Sequence, residues 1–139
     1  MKKLTVIIIF LCTSLFSIKS QNFSVTPQIG GFTNFDYHGG AVVGIEAEYQ
    51  FQKRFSISFG VQGLTDFDNE KVEISCPLLL NYYPIKNFDI KCGYDLLGRV
   101  PIGLSYDYKN FVIDIRYCID VFEIEDSYFI PTIGYRLKF

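Results

Sequence analysis

From residue 40 onward, apolar and polar side chains alternate with few interruptions. Between 40 and 51, Ala41, Val43, Ile45, Ala47, Tyr49 and Phe51 take every second place, with Val42, Gly44, Glu46, Glu48 and Gln50 between them. Residues 55–65 set Phe55, Ile57, Phe59 and Val61 against Ser56, Ser58, Gly60 and Gln62. Residues 72–82 set Val72, Ile74, Cys76, Leu78, Leu80 and Tyr82 against Glu73, Ser75, Pro77, Leu79 and Asn81. The rhythm returns in 88–97, where Phe88, Ile90, Cys92, Tyr94 and Leu96 alternate with Asp89, Lys91, Gly93 and Asp95. In 111–122, Phe111, Ile113, Ile115, Tyr117 and Ile119 alternate with Val112, Asp114, Arg116, Cys118 and Asp120. In 128–139, Phe129, Pro131, Ile133, Tyr135, Leu137 and Phe139 stand against Tyr128, Ile130, Thr132, Gly134, Arg136 and Lys138. A period of two belongs to strands, because successive Cβ atoms point to opposite faces. With further segments at 23–32 and 102–108, the pattern predicts eight strands. Most are close to the roughly 9–11 residues that a tilted membrane-crossing strand requires.

The connections fall into two classes. Gln52 to Arg54, Tyr83 to Asn87 and Lys109-Asn110 form one set, and each is flanked by aromatic residues. Thr33 to Gly39, Asp66 to Lys71, Gly98 to Pro101 and Glu123 to Ser127 form the other. In membrane barrels the periplasmic turns are short and the outer loops longer, so the second set is expected to face outward. The short turns share a weak repeat: Tyr49-Gln-Phe-Gln-Lys-Arg-Phe55, Tyr82-Tyr-Pro-Ile-Lys-Asn-Phe88 and Tyr106-Asp-Tyr-Lys-Asn-Phe111. Aromatic rings followed by Lys or Arg suit a membrane interface, with the cations reaching into headgroups. Phe51, Phe55, Tyr82, Phe88, Tyr108 and Phe111 are the expected aromatic belt.

Composition decides which face meets which medium. The chain has 14 Phe and 10 Tyr but no Trp, and its charges recur inside otherwise apolar stretches. An all-β protein with lipid outside and a polar interior accounts for that mixture. The interior of an eight-stranded barrel is just wide enough for side chains to fill it. An unpaired buried charge costs several kcal/mol, so the inward charges should compensate one another. Glu46, Glu48, Glu73, Asp89, Asp95, Asp114 and Asp120 are expected to face Lys91, Arg99, Arg116, Arg136 and Lys138 there. Acids are in excess, which places some carboxylates at wet rims or in protonated form. Two other folds share the periodicity: an ordinary soluble sandwich, and a soluble lipocalin-like barrel with its apolar face turned inward on a greasy ligand.

Residues 1–20 look like a cleavable secretory signal, with Lys2 and Lys3 followed by the apolar run from Leu4 to Ile18 and a small polar stretch ending at Ser20. The apolar run is shorter than the roughly 20 residues of a spanning helix. Residues 21–139 then form one domain. Removal of Lys2, Lys3 and Lys19 from 13 basic residues leaves an acidic excess against 15 Asp and Glu, and nothing basic clusters, which argues against a nucleic-acid partner. Cys76, Cys92 and Cys118 remain after cleavage. With Tyr82 opposite Phe88, Cys76 would face Tyr94 and Cys92 would face Leu78, a diagonal arrangement with poor disulfide geometry. Chemistry-bearing motifs are sparse. His38 is the single histidine, beside Gly39-Gly40, and Ser127 is a distant candidate partner in another loop. Solvated loop residues account for both, and likewise for the acidic stretches Asp66 to Glu70 and Glu123 to Asp126. No catalytic, cofactor or metal residue is assigned.

The leader, the eight alternating segments, the aromatic hairpin repeat and the terminal Phe139 together resemble the small outer-membrane β-barrels of the OmpA/OmpX type, over residues 22–139. The resemblance implies an eight-stranded up-and-down transmembrane barrel in a Gram-negative outer membrane. It implies a monomer with outer-membrane lipid and the barrel-assembly machinery as partners, and Tyr135, Leu137 and Phe139 as the strand that machinery recognises. A structural or surface-interaction role with little or no pore is the leading functional expectation. Lipid-A modification on the same scaffold is the alternative, because some barrels of this kind are acylases or deacylases. Residues 22–139 do not match the peptidoglycan-binding domain of the larger OmpA-type proteins, so the resemblance implies no cell-wall tether.

Overall fold

The computed structural model describes residues 22–34, 39–68, 71–122 and 127–139. The leader expected at 1–20 lies outside the described residues. Ten strand segments follow one another: β1 (Phe23–Asn34), β2 (Gly39–Gln52), β3 (Phe55–Asp66), β4 (Val72–Ser75), β5 (Pro77–Ile85), β6 (Phe88–Asp95), β7 (Arg99–Tyr108), β8 (Phe111–Asp120), β9 (Tyr128–Tyr135) and β10 (Leu137–Lys138). β4 and β5 make one barrel strand interrupted at Cys76, and β9 and β10 make another interrupted at Arg136. The result is a closed, eight-stranded, antiparallel up-and-down barrel. Closure runs through β1, which pairs β2 on one side and β9 and β10 on the other. Its register is continuous along that seam, from Ser24↔Lys138 to Gln28↔Gly134 and Asn34↔Tyr128. Closure leaves no free sheet edge.

Two connections differ from their expected form. Gly98 to Pro101 was expected as a loop, but β7 already begins at Arg99 and the connection is a tight turn at Leu96–Gly98. Gly98 has φ +86°, which a glycine adopts without penalty, and its N–H donates to the Asp95 carbonyl at 2.9 Å. The Asp95 carboxylate also accepts from Leu97 N–H, at 3.2 Å, which fixes the turn. The second difference is the hairpin of β5 and β6. β5 runs on to Ile85, which pairs with Phe88 and leaves only Lys86-Asn87 in the turn. A one-residue bulge lies between Tyr82 and Ile85, and Pro84 within it has no N–H to donate to the ladder. The register therefore moves by two residues from the expected one: Tyr82 faces Ile90, Leu80 faces Cys92 and Leu78 faces Tyr94. Cys76, Cys92 and Cys118 are all free thiols.

The apolar set points outward around the whole circumference. Ile29, Ile45, Ile57, Leu80, Leu104, Ile115 and Ile133 are all exposed, Ile115 at 52 %. Ser56, Ser58, Asn81, Asp89, Lys91, Asp114 and Arg116 point the other way and are buried. That orientation is the reverse of a lipocalin-like barrel with an apolar interior. From Phe55 to Thr65, β3 rises about 33 Å along its own axis at about 3.3 Å per residue. A tilt of roughly 40° reduces this to about 25 Å along the barrel, the usual height of a lipid-facing band. The Phe23, Lys53-Arg54, Lys86-Asn87 and Lys109-Asn110 end is called the turn end below, and the opposite end the loop end.

Candidate functional site

The inward residues stack at successive levels of the lumen. At mid-height, Glu46 on β2, Lys91 on β6 and Asp114 and Arg116 on β8 form a buried ionic quartet. Lys91 Nζ lies 2.9 Å from Glu46 and 3.2 Å from Asp114. Arg116 pairs with the same two carboxylates, its Nε donating to Asp114 at 2.8 Å. Each cation thus touches both anions, and two positive charges balance two negative ones. Three strands of alternating sequence are needed to assemble it, because each contributes only its inward positions.

Nearer the turn end, Arg136 bridges Glu48, at 3.2 Å, and Asp107. Glu48 also accepts hydrogen bonds from the Ser56 and Tyr83 hydroxyls. Asn81 Nδ2 donates to the hydroxyls of Ser56, at 3.0 Å, and Ser58, at 3.2 Å. The Ser105 hydroxyl donates to Asp89. Hydrogen bonds to a carboxylate are charge-assisted, so hydroxyls can support the acids that outnumber the bases.

Toward the loop end the lumen changes character. Val42, Leu64, Cys118, Tyr128 and Ile130 form a buried apolar cluster, with Phe32 packed against it and its ring 5.7 Å from that of Tyr128. Beyond the cluster, Arg99 pairs with Glu73 and lies 3.5 Å from Asp120. It also donates to the Tyr128 hydroxyl at 2.9 Å, with its guanidinium carbon 5.1 Å from that ring's centroid. Asp95 accepts from the Ser75 hydroxyl and from Cys76 N–H at 3.1 Å, which ties the break between β4 and β5 to the next hairpin.

Each residue expected in the interior can now be placed. Glu46, Lys91, Asp114 and Arg116 form the quartet, and Glu48 and Arg136 share the level below it. Asp89 and Asp95 are buried among hydroxyl and amide donors. Glu73, Arg99 and Asp120 sit together at the loop-end rim, with Glu73 exposed. Lys138 departs from the expectation. It is exposed at the turn-end mouth, outside the interior network, because β10 ends there and the lumen opens into a cavity. Sequence reasoning missed three things here. Tyr83 was read as a turn residue, yet it belongs to β5 and reaches Glu48. Asp107 stands at an inward position opposite Val112, and the alternation of β7 could have revealed it. The apolar cluster was the third: Val42 and Ile130 stand in the inward set among polar residues, and Leu64 continues that set beyond Gln62.

The belt residues gather at the turn end. Phe51 stacks on Phe55 with centroids 6.4 Å apart, Phe55 meets Tyr82 at 5.1 Å, and Phe111 meets Tyr135 at 5.4 Å. Phe88 faces Tyr106 and Tyr108 faces Phe111 across their ladders. Phe139 continues the ring: its N–H donates to Phe23 O at 2.9 Å, and their rings lie 6.2 Å apart. Tyr135 and Leu137 share its outward, exposed face. His38 and the stretches 69–70 and 123–126 lie outside the described residues. Ser127 is buried, and its hydroxyl accepts from Asp120 N–H at 3.3 Å.

A solved structure described as "De novo design of transmembrane beta-barrels" is similar to this chain, with a TM-score of 0.55 and 14 % sequence identity. The match covers 86 % of this chain and 98 % of that one. At that identity the likeness concerns the fold. No protein-family model and no curated protein matches the sequence.

Proposed function

We propose that this chain is a small integral outer-membrane barrel of the OmpA/OmpX type. In this reading residues 1–20 export it, and it serves a structural or surface-interaction role as a monomer without a porin-sized pore. The observation that carries the reading is the sidedness of the barrel: an apolar outer band about 25 Å tall surrounds a lumen filled with compensated charge. In water that outer surface would be one continuous apolar patch, far larger than soluble monomers tolerate. In lipid it needs no cover, and closure satisfies the backbone groups that hydrocarbon cannot. The belt of Phe51, Phe55, Tyr82, Phe88, Tyr108 and Phe111 would then lie at the periplasmic interface. Tyr135, Leu137 and Phe139 would present the outward face that the assembly machinery engages.

The test is fractionation of expressing cells followed by gel migration of unheated against boiled sample. The expected result is outer-membrane recovery, a band that shifts on boiling, and little or no conductance in planar bilayers. Recovery in the soluble periplasmic fraction without a heat shift would overturn the membrane assignment. Stable channels of porin size would overturn the occluded interior.

A further inference from the structure

The two ends of the barrel carry opposite charge. Asp66, Asp68, Glu73 and Asp120 lie at the loop end, with Lys71 and Arg99 among them. The turn end collects cations, and it holds a cavity of about 440 Å³ at the mouth of the lumen. Lys53, Arg54, Lys86 and Lys138 line this cavity from three different connections and strands, and Arg136 also lines it. The acids that line it are Glu48 and Asp107, and both are paired with Arg136. None of the four rim cations forms an ion pair among the described residues. A chain with an acidic net charge thus presents a concave, cationic vestibule at one end. Concave clefts of one sign focus the field and concentrate counter-ions.

We propose that this vestibule binds a phosphate-bearing ligand, in the form of a phospholipid headgroup or a free phosphate ester of similar size. The chemistry follows from the number and type of donors. Four cations with no ion pair among the described residues converge on one mouth. Five lining cations against two carboxylates leave an excess of three positive charges, more than a single carboxylate can engage with two oxygens. A phosphate offers more acceptor oxygens and up to two charges, and Arg54 supplies a planar fork suited to it. The volume lies within the range of small-ligand sites and suits a headgroup with one or two phosphates. Phe23 and Ile85 line the same cavity, so its wall has an apolar lip beside the cationic rim. A lipid could place its headgroup among the cations and lead its chains over that lip. The lipid source rests on the membrane reading above, whereas the phosphate chemistry does not.

The experiment uses folded protein in neutral detergent and in vesicles. In detergent, binding of glycerol phosphate is measured by calorimetry. In vesicles of zwitterionic phospholipid with and without about a fifth phosphatidylglycerol, retained lipid is counted after extraction by native mass spectrometry. The comparison protein carries Lys53→Gln, Arg54→Gln, Lys86→Gln and Lys138→Gln, and a heat-shifted band verifies that it folds. Should that variant fail to fold, the Arg54→Gln and Lys86→Gln single variants replace it. The expected result is retention of phosphatidylglycerol by the parent, weakened at least ten-fold in the quadruple variant and by raised salt. Binding of glycerol phosphate without preferential lipid retention would support the site and assign it a soluble source. Absence of both, or equal binding by parent and folded variants, would overturn the proposal. A failure of membrane insertion would show separately, as loss of the heat-shifted vesicle fraction while the detergent measurement stands.

Discussion

Replacing Lys91 with Met tests the ionic quartet directly. Met keeps an unbranched, flexible stem of similar length, so the perturbation is mainly loss of charge. Lys91 is 2 % exposed and pairs with Glu46 and Asp114, which are themselves buried. Without it, two buried carboxylates face Arg116 alone, leaving one negative charge uncompensated in the lumen. Removing one partner of a buried pair costs about 3–5 kcal/mol. Against a typical stability of about 5–15 kcal/mol, that is a large fraction of the whole. The partner substitution Glu46→Gln in the same protein restores neutrality, leaving Arg116 against Asp114. The double variant should therefore recover more than half of the loss, a coupling of at least about 1.5 kcal/mol between the sites. Urea titration in detergent micelles measures this. The chain has no Trp, so far-UV circular dichroism and the unheated gel band serve as the two readouts. A Lys91→Met variant within about 1 kcal/mol of the parent would mean the pair behaves like a solvated one. A double variant no more stable than Lys91→Met would refute the charge argument even if the single loss were large.

The other predictions concern the outer face, the closing seam and backbone contact. Val61→Lys and Ile115→Lys put a cation on the outer band near mid-height, and each should cost about 2–4 kcal/mol and reduce the folded fraction in vesicles, whereas Ile57→Lys, closer to the turn end, should cost less. If both mid-height variants insert like the parent on an unheated gel, the faces are assigned backwards. Phe139→Ala removes the ring that meets Phe23, so it should lower the yield of heat-shifted protein while leaving the secreted amount unchanged in pulse-labelled cells. Gly93→Ala would place a Cβ 1.9 Å from the Leu78 carbonyl oxygen, whereas at Gly63 the nearest atom is 3.8 Å away. The first should cost about 1–3 kcal/mol, as overpacking does, and Gly63→Ala should be close to neutral in the same urea titration.

The sequence alone determined the strand count, the two faces and the position of most turns. A strand exposes its side-chain period directly, and Phe55, Ile57, Phe59 and Val61 need no partner to show which face is apolar. The gathering of aromatic residues at the turn end was legible for a similar reason, since they flank turns that short-range chemistry marks. Register was not legible in the β5–β6 hairpin. β5 continues to Ile85 and a bulge at Tyr83 and Pro84 adds one residue to it, so a count that starts from Tyr82 opposite Phe88 places Cys92 opposite the wrong neighbour. The grouping of charges was equally hidden. Alternation says that Glu46, Lys91, Asp114 and Arg116 point inward, but which acid meets which base depends on tilt and stagger around the closed barrel. Lys138 shows the same limit, because inward parity cannot say that the lumen has already widened into a cavity at its level. The apolar cluster joins residues from three strands: Val42 and Leu64 are ladder partners on β2 and β3, but only closure brings Ile130 of β9 to them.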